Sequence, residues 1–448
     1  IDSIVRKSKL YRPEKWDRNA GYLDGVNVTY GQRTIKIGLR NRKDVFKGDV
    51  KESITSVDIS PYEVKKSGIY KTKYVKGADG ELEKVEILIS STPCTIEAIG
   101  KNVDDNSVLY KLKVSDNLHN SRMVWKANHE IMQRSGVLGL QKDGMFFTES
   151  NAATLTEYFE KYIICTRDTL PKEVAASRNG WKLNNSLFVC GNYGYTADGP
   201  KDILQVENPI AELYTEKGSL QEWVAGLNDL FKHKVMHMKA YISCTPVILN
   251  LINISSFLVE QSVHSGRLKT ETSKVCASFW GEPIGLQMSA ESTKCGVLAQ
   301  VNLNNCLPNF IDEAKMTPEM RELVYLIANE TGRSKSNKDQ GLVRAPNWST
   351  VAILTCENPI LPENAHTGEL VRVIPLHWGV EEKLSNDVIT RITDTYANNY
   401  GHIGKLFLKI VFENKDILKG IYDDALSQFP EVEDITSETV IRHHRIYL

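Results

Sequence analysis

Residues 255–283 run through an apolar stretch, a short polar loop, the dipeptide Lys269-Thr270 and then an amphipathic segment. The apolar stretch has strand character, and Leu268, Thr272, Val275, Cys276 and Phe279 recur at helical spacing around and beyond the dipeptide. A strand that feeds a loop and then a helix beginning Lys-Thr has the layout of a phosphate-binding P-loop. That motif, GxxxxGK[ST], needs its glycines so that backbone N–H groups can close around phosphate oxygens. Here the two glycine positions hold Val263 and Leu268. Both carry a Cβ where glycine permits positive φ and close backbone approach. Glu271 adds a negative charge at the start of the helix. The segment reads as an ATPase-like core with an eroded phosphate cradle, although an ordinary strand–loop–helix also accommodates a Lys-Thr pair.

Further constellations bear on that choice. Residues 306–314 form an apolar strand ending in Asp312-Glu313, 43 residues after Lys269. This is a Walker B pattern, in which the Asp holds Mg²⁺ and the Glu polarises the attacking water. Residues 351–359 form a second buried strand with polar Thr355 and Asn358 at its end. Thr355 is the better candidate for a group that reads the terminal phosphate and Asn358 the second, against a plain turn at Asn358-Pro359. A helix N-terminus carrying Lys269 and Thr270 suits phosphate and Mg²⁺, because its dipole favours anions. The loop 332–344 holds Arg333, Lys335, Lys338 and Arg344 against Asp339 alone. It is a candidate DNA contact, a source of an arginine for a neighbour's nucleotide, or a solvated surface loop. Arg372 interrupts the apolar run 369–376, read as a buried strand, where it needs an anionic partner; it is a candidate arginine finger or sensor.

A chain of 448 residues exceeds one ordinary core, so two or three domains are expected. With 41% hydrophobic and 25% charged residues the composition is that of a soluble globular protein. A formal net charge of −1 supplies no global field for nucleic acid, so DNA binding must rest on local basic patches. The eight cysteines include no CxxC pair or metal-binding pattern and read as reduced core residues of a cytoplasmic protein. The longest apolar run, near residues 247–258, is too short and polar to span a bilayer, so no membrane is implied.

Along the chain, residues 1–66 form a polar module or arm, with five basic residues against one acid in 6–16 and a strand pair expected around Gly31-Gln32. Residues 67–202 alternate as a β-rich domain, interrupted by a helix at 152–164 with Asn151 as its expected N-cap. Residues 203–429 alternate helix and strand, the pattern of an α/β layer with a largely parallel sheet. In that part Ser219 and Thr317 are expected helix caps, Pro318 occupies a first turn, and Gly332 is expected to end the second helix. Residues 430–448 are a C-terminal tail.

As a set, these segments resemble the helicase-like proteins of phages, integrative elements and staphylococcal cassette chromosomes, whose members include helicases and inactivated derivatives. The similarity extends over residues 67–429. It is carried by Asn179-Gly180-Trp181, by residues 263–281, by Asp312-Glu313, by Ala328-Asn329 with Gly332-Arg333, by Gly368 with Val371-Arg372, and by residues 399–404. The resemblance implies an α/β fold, an AAA+ (P-loop NTPase-like) core preceded by a β-rich domain, similar to MCM replicative helicases. It implies a homo-oligomer, a hexameric ring with ATP between subunits, and DNA unwinding in mobile-element replication. On that footing ATP and Mg²⁺ are the cofactors. Lys269 binds phosphate, Thr270 and Asp312 hold the metal, Glu313 orients water, Thr355 and Asn358 sense the nucleotide, and Arg372 or Arg333 acts in trans. The departures at Val263, Leu268 and Glu271 leave open a catalytically inactive structural or DNA-binding subunit.

Overall fold

The computed structural model describes residues 12–428 apart from 24–25, 34–56, 77–80, 117, 119, 206–207, 265, 333–334, 337–341, 344, 363, 378 and 382. The tail expected at 430–448 lies outside the described residues. The chain forms two compact units, Ile1–Ile99 with Tyr110–Pro171, and Gly100–Leu109 with Lys172–Leu448.

The first unit is β-rich. Strands Tyr62–Lys65, Gly68–Lys76 and Leu82–Ser90 pair antiparallel in sequence order. The helix expected near 152–164 spans Ala152–Thr166 and buries Leu155, Tyr158, Phe159 and Tyr162 against Ile69, Ile96 and Leu112. Asn151 precedes it but does not cap with its side chain, whose Nδ2 donates instead to the Ile89 carbonyl at 2.9 Å. Near the N-terminus, strand Val26–Thr29 pairs with Asn19–Leu23; the segment after Gln32 expected to pair with it lies outside the described residues from residue 34 on. Residues 30–33 are helical, so Gly31 does not make the expected turn.

In the second unit, four short antiparallel strands, Gly180–Lys182, Leu187–Cys190, Tyr193–Thr196 and Gly199–Asp202, lead into the α/β core. Trp181 is buried on the first of them, and its indole donates to the Val247 carbonyl at 2.6 Å. The core elements that position the site are α1 (Lys234–Cys244), β1 (Phe257–Ser262), α2 (Lys269–Ala277), β2 (Gln287–Ser289), α3 (Lys294–Asn304), β3 (Asn309–Ala314), α4 (Pro318–Ala328), β4 (Val351–Cys356), β5 (Val373–Pro375), α5 (Asn386–Asn398) and α6 (His402–Asn414). The five strands form one parallel sheet in the order β2-β3-β4-β1-β5. A parallel sheet covered on both faces demands continuous apolar strands, and every residue of β1 and β4 is buried. Their side chains alternate between two cores. Phe257, Val259, Val351 and Ile353 enter one, Leu258, Ala352 and Leu354 the other.

Helix caps follow the sequence in part. Ser219 Oγ accepts from Glu222 N at 3.2 Å, and Thr317 Oγ1 from Met320 N at 3.1 Å. Helix α4 stops at Ala328, before Gly332; Glu330 takes the left-handed conformation, φ +63°, and its carboxylate accepts from Ser256 N and Oγ. The expected strand 369–376 shrinks to β5. Residues Thr367–Leu370 form a helical turn instead, because the Glu369 carboxylate accepts from His366 N and chelates Arg321 through two N–H···O bonds of 2.6 and 2.8 Å. Residues 399–404 lock onto the end of the α2 segment. Gly401 N donates to Ser278 O and Gly404 N to Phe279 O, both at 2.8 Å, and a Cβ on Gly404 would strike the Trp280 ring. Among the described residues no helix is long and apolar enough to cross a membrane, and all eight cysteines are free thiols.

Candidate functional site

Loops at the C-terminal ends of β1, β3 and β4 converge, the usual ligand position in an open α/β sheet. The loop after β1 turns into α2 at Leu268, whose backbone is left-handed at φ +52°, ψ +32°. Leu268 holds the second glycine position of the motif, and it adopts the conformation that glycine would supply. Gly266, two residues earlier, has φ +86°. The leucine side chain packs partly against the larger core. Left-handed backbone costs an L-residue about 1–2 kcal/mol, and the surrounding hydrogen bonds impose it. Arg267 O accepts from Val380 N at 3.1 Å, while its guanidinium donates to the Val380 and Glu381 carbonyls at 3.1 and 2.8 Å. Neither glycine position of the pattern holds glycine, yet the backbone at the second, Leu268, takes a left-handed turn.

Side chains from three strand ends then meet. Lys269 Nζ donates to Val263 O at 3.0 Å and Cys356 O at 2.8 Å, bridging the ends of β1 and β4. Thr270 Oγ1 donates to Asp312 Oδ1 at 3.1 Å, and the Thr355 hydroxyl bonds to the same carboxylate oxygen. Glu313 N donates to Thr355 Oγ1 at 3.2 Å. Strand β4 lies between β1 and β3, so Lys269 and Asp312 do not stand on adjoining strands; Thr270 closes the gap. Glu313 is exposed with φ +57°, where the β3–β4 register becomes irregular. Lys269, Thr270, Asp312, Glu313, Thr355 and Asn358 all line one cavity of about 760 Å³, within the size range of small-molecule and cofactor sites.

Glu271 also borders this cavity, but its carboxylate is engaged elsewhere. Tyr396 of α5 donates to its Oε2 at 2.5 Å, and Lys274 Nζ lies 3.4 Å from Oε1. Burial, with this carboxylate beside it, pushes the Tyr396 phenol well up from its ordinary value. The Thr270 hydroxyl and Asp312 carboxylate are hard oxygen donors that fit Mg²⁺, which keeps water and phosphate as its other ligands. Among the described residues no group of three or more His, Cys, Asp or Glu could hold a metal by itself.

The remaining candidates lie elsewhere. Arg372 sits in a turn before β5, not on a buried strand, and its expected anionic partner is replaced by neutral groups. Its guanidinium donates to Asn329 Oδ1 at 3.0 and 3.3 Å and to the Gly368 carbonyl, and lies 4.8 Å from the Tyr325 ring centroid. Its own carbonyl accepts from Leu258 N, near the start of β1. Five residues of strand therefore separate that level from Val263, about 16 Å, so Arg372 is remote from the cavity of its own chain. Lys335 belongs to a short strand, Lys335–Ser336, paired with Leu342–Val343; Arg333, Lys338 and Arg344 lie outside the described residues. Two contributors carry weaker sequence signals. Gly266 stands in the loop at a position the two-glycine pattern leaves free. Lys239, fully buried on α1, contacts the first turn of α2, and nothing in its spacing marks it.

The model of the family described as "Domain of unknown function (DUF927)" matches residues 62–348. No curated protein matches the sequence. The solved structure described as "SCCmec type IV Cch - active helicase" superposes with a TM-score of 0.67 at 18% identity, over 88% of this chain and 73% of that one. The apo C-terminal region of NrS-1 matches at 12% identity over 77% of this chain and 81% of that one, but its TM-score of 0.32 is too low to carry an argument. The first match shows a shared fold. The molecule is an α/β protein whose parallel-sheet core follows a β-rich region, so the resemblance to mobile-element helicases holds at the level of fold.

Proposed function

The chain belongs to the DUF927 family, and on the geometry of its cavity we propose that it is an MCM-like AAA+ ATPase that unwinds DNA during replication of a mobile genetic element in the cytoplasm. One observation carries this reading: Lys269, Thr270, Asp312, Glu313 and Thr355 border a single cavity behind a loop that keeps its left-handed turn. In the proposed mechanism Lys269 leaves the Val263 and Cys356 carbonyls to meet the β- and γ-phosphates, with free N–H groups of the first turn of α2 beside it. Thr270 and Asp312 would hold Mg²⁺, which would supply positive charge to offset that of the phosphates. Exposed Glu313 orients and polarises the attacking water. Thr355, bonded to the Asp312 carboxylate and to the Glu313 backbone N–H, couples these two residues to the terminal phosphate, and Asn358 borders the same space.

Arg372, remote from its own cavity, suits action in trans on a neighbouring subunit, with Arg333 the other candidate; this supports a homo-oligomeric, hexameric ring with the nucleotide between subunits. Residues 203–429 form the motor core in this reading, and 67–202 the β-rich domain before it. DNA would contact Arg333, Lys335, Lys338 and Arg344. A second reading, a non-hydrolysing structural or DNA-binding subunit, is favoured by one feature: Leu268, where the pattern has glycine, also borders the cavity. ATP turnover stimulated by single-stranded DNA separates the two. The motor reading expects turnover that Glu313→Gln lowers at least about a hundredfold, with nucleotide binding retained; no turnover in the unmodified chain, despite binding, would leave the non-hydrolysing subunit.

A further inference from the structure

Behind the cradle lies a charge that the mechanism above does not use. Lys239 on α1 is fully buried. Its ammonium donates to Gln261 Oε1 on β1 at 2.8 Å. From α2 it meets the Lys269 carbonyl at 3.1 Å, Thr272 Oγ1 at 3.0 Å and Ser273 Oγ at 2.7 Å. All four partners are neutral oxygens, and among the described residues no carboxylate lies within ion-pair distance of it. Lysine is almost never fully buried without an opposite charge, because desolvation of an unpaired ion is not repaid by neutral dipoles. If the first turn of α2 needed only filling and hydrogen bonding, a neutral side chain would do both. What an ammonium adds is positive potential in a low-dielectric position at the base of a helix N-terminus, where it acts on whatever anion the turn receives.

We propose that Lys239 is the built-in counter-charge of the phosphate site: it fixes the first turn of α2 from behind, and its positive charge is balanced, and held, when the phosphates of a nucleotide bind in front. This rests on the reading of the cavity as a nucleotide site and makes Lys239 a positioning residue, acting through Lys269 and the turn rather than by touching the ligand. It also offers a reason why the loop tolerates the loss of two glycines, since a buried cation draws anions to a turn with fewer backbone approaches. The charged groups around it are few. Cys276 of α2 and Asp312 of β3 favour its charged form, whereas burial, the larger effect, pushes the ammonium down to about 8. Lys269, Glu271 and Lys274 on α2, Glu260 on β1, Cys356 on β4 and Lys232 in the turn before α1, with Lys234, His237, Tyr241 and Cys244 on α1 itself, are the other ionisable groups on the packed elements.

The consequence is a proton linkage. An anion in front of the turn makes the Lys239 ammonium harder to deprotonate, so affinity is full below about pH 8 and falls as pH rises through the free-state value. If the bound anion tightens proton binding at Lys239 about tenfold, nucleotide binding is about sevenfold weaker at pH 9.5 than at pH 7. MgADP is the probe, because it is not hydrolysed and its own phosphates are already deprotonated above pH 7.5. Calorimetric titration of the full chain at pH 8, in two buffers of different ionisation enthalpy, counts the protons taken up. The expected result is uptake of up to about half a proton per site, disappearing at pH 6.5 where Lys239 is already charged. A flat pH profile is expected in Lys239→Met, weaker than the parent below pH 8 and equal to it at pH 9.5. Should Lys239→Met fail to fold, the proton count in the unmodified chain decides alone. Saturable MgADP binding with no proton uptake at pH 8 overturns the counter-charge and leaves the nucleotide site standing. Absence of MgADP binding at every pH overturns the nucleotide site, and the counter-charge with it.

Discussion

Leu268 gives the sharpest test of how this loop is built. The perturbation is a pair of substitutions, Leu268→Gly and Leu268→Ala. Both remove the leucine's partial packing against the core, a loss of about 1–2 kcal/mol for a half-buried aliphatic side chain. They differ in backbone strain. At an ordinary helical position glycine is the worse of the two by about 1 kcal/mol. At φ +52° the order inverts, because alanine retains the Cβ clash that glycine lacks, worth about 1–2 kcal/mol. The glycine variant should therefore sit within about 1 kcal/mol of the parent, and the alanine variant about 1–2 kcal/mol below it. Urea unfolding followed by tryptophan fluorescence reads both. Trp280, buried just beyond α2, reports on this part of the core. If alanine proves as stable as glycine, Leu268 does not hold a left-handed turn and the retained cradle is refuted.

Three further perturbations probe the surroundings. Tyr396→Phe removes the donor that holds Glu271, freeing a negative charge at the cavity edge; MgADP affinity should fall about three- to tenfold, and an unchanged affinity would show that Glu271 does not face the ligand. Replacing Arg333, Lys335 and Lys338 together with Ala should lower the salt slope of single-strand DNA binding by about 2, and an unaltered slope would remove this loop from the DNA contact. Glu260 is buried on β1, with one carboxylate oxygen accepting from Ile360 N at 3.2 Å and the other without a partner. Burial holds its pKa above the ordinary carboxylate value, so its ionisation opposes folding as pH rises through that value. Glu260→Gln should then stabilise the chain at pH 8 relative to pH 4, as read by thermal melts, and the opposite trend would contradict the sign.

Much of the site was legible because its signals are local. A strand, a Lys-Thr pair opening a helix, two acids closing an apolar strand and a Thr at the end of another each depend on residues close in sequence, and the fold brings all of them to one cavity. What the sequence concealed depends on distant partners. Val263 and Leu268 predict an eroded loop by residue type, yet φ at Leu268 is set by a segment more than a hundred residues later, through Val380 and Glu381. The run 369–376 looked like a strand because its apolar residues are contiguous; the Glu369–Arg321 pair and the bond to His366 N make its first half a helical turn. That leaves Arg372 outside the sheet, with Asn329 as partner. Two segments singled out separately, around Asn329 and around Arg372, thus prove to be one contact. Lys239 left no trace, since a lone lysine on a helix looks solvent-facing until its neighbours are known.

The cavity behind Lys269 is expected to receive a magnesium nucleotide. An equilibrium titration of the full chain and of Lys269→Ala with a fluorescent ADP in excess Mg²⁺ tests it most directly. The expected result is saturable binding that unlabelled ATP displaces, weakened at least about tenfold in Lys269→Ala by loss of a charge-assisted hydrogen bond. No binding up to millimolar nucleotide, or equal affinity in both chains, would contradict it.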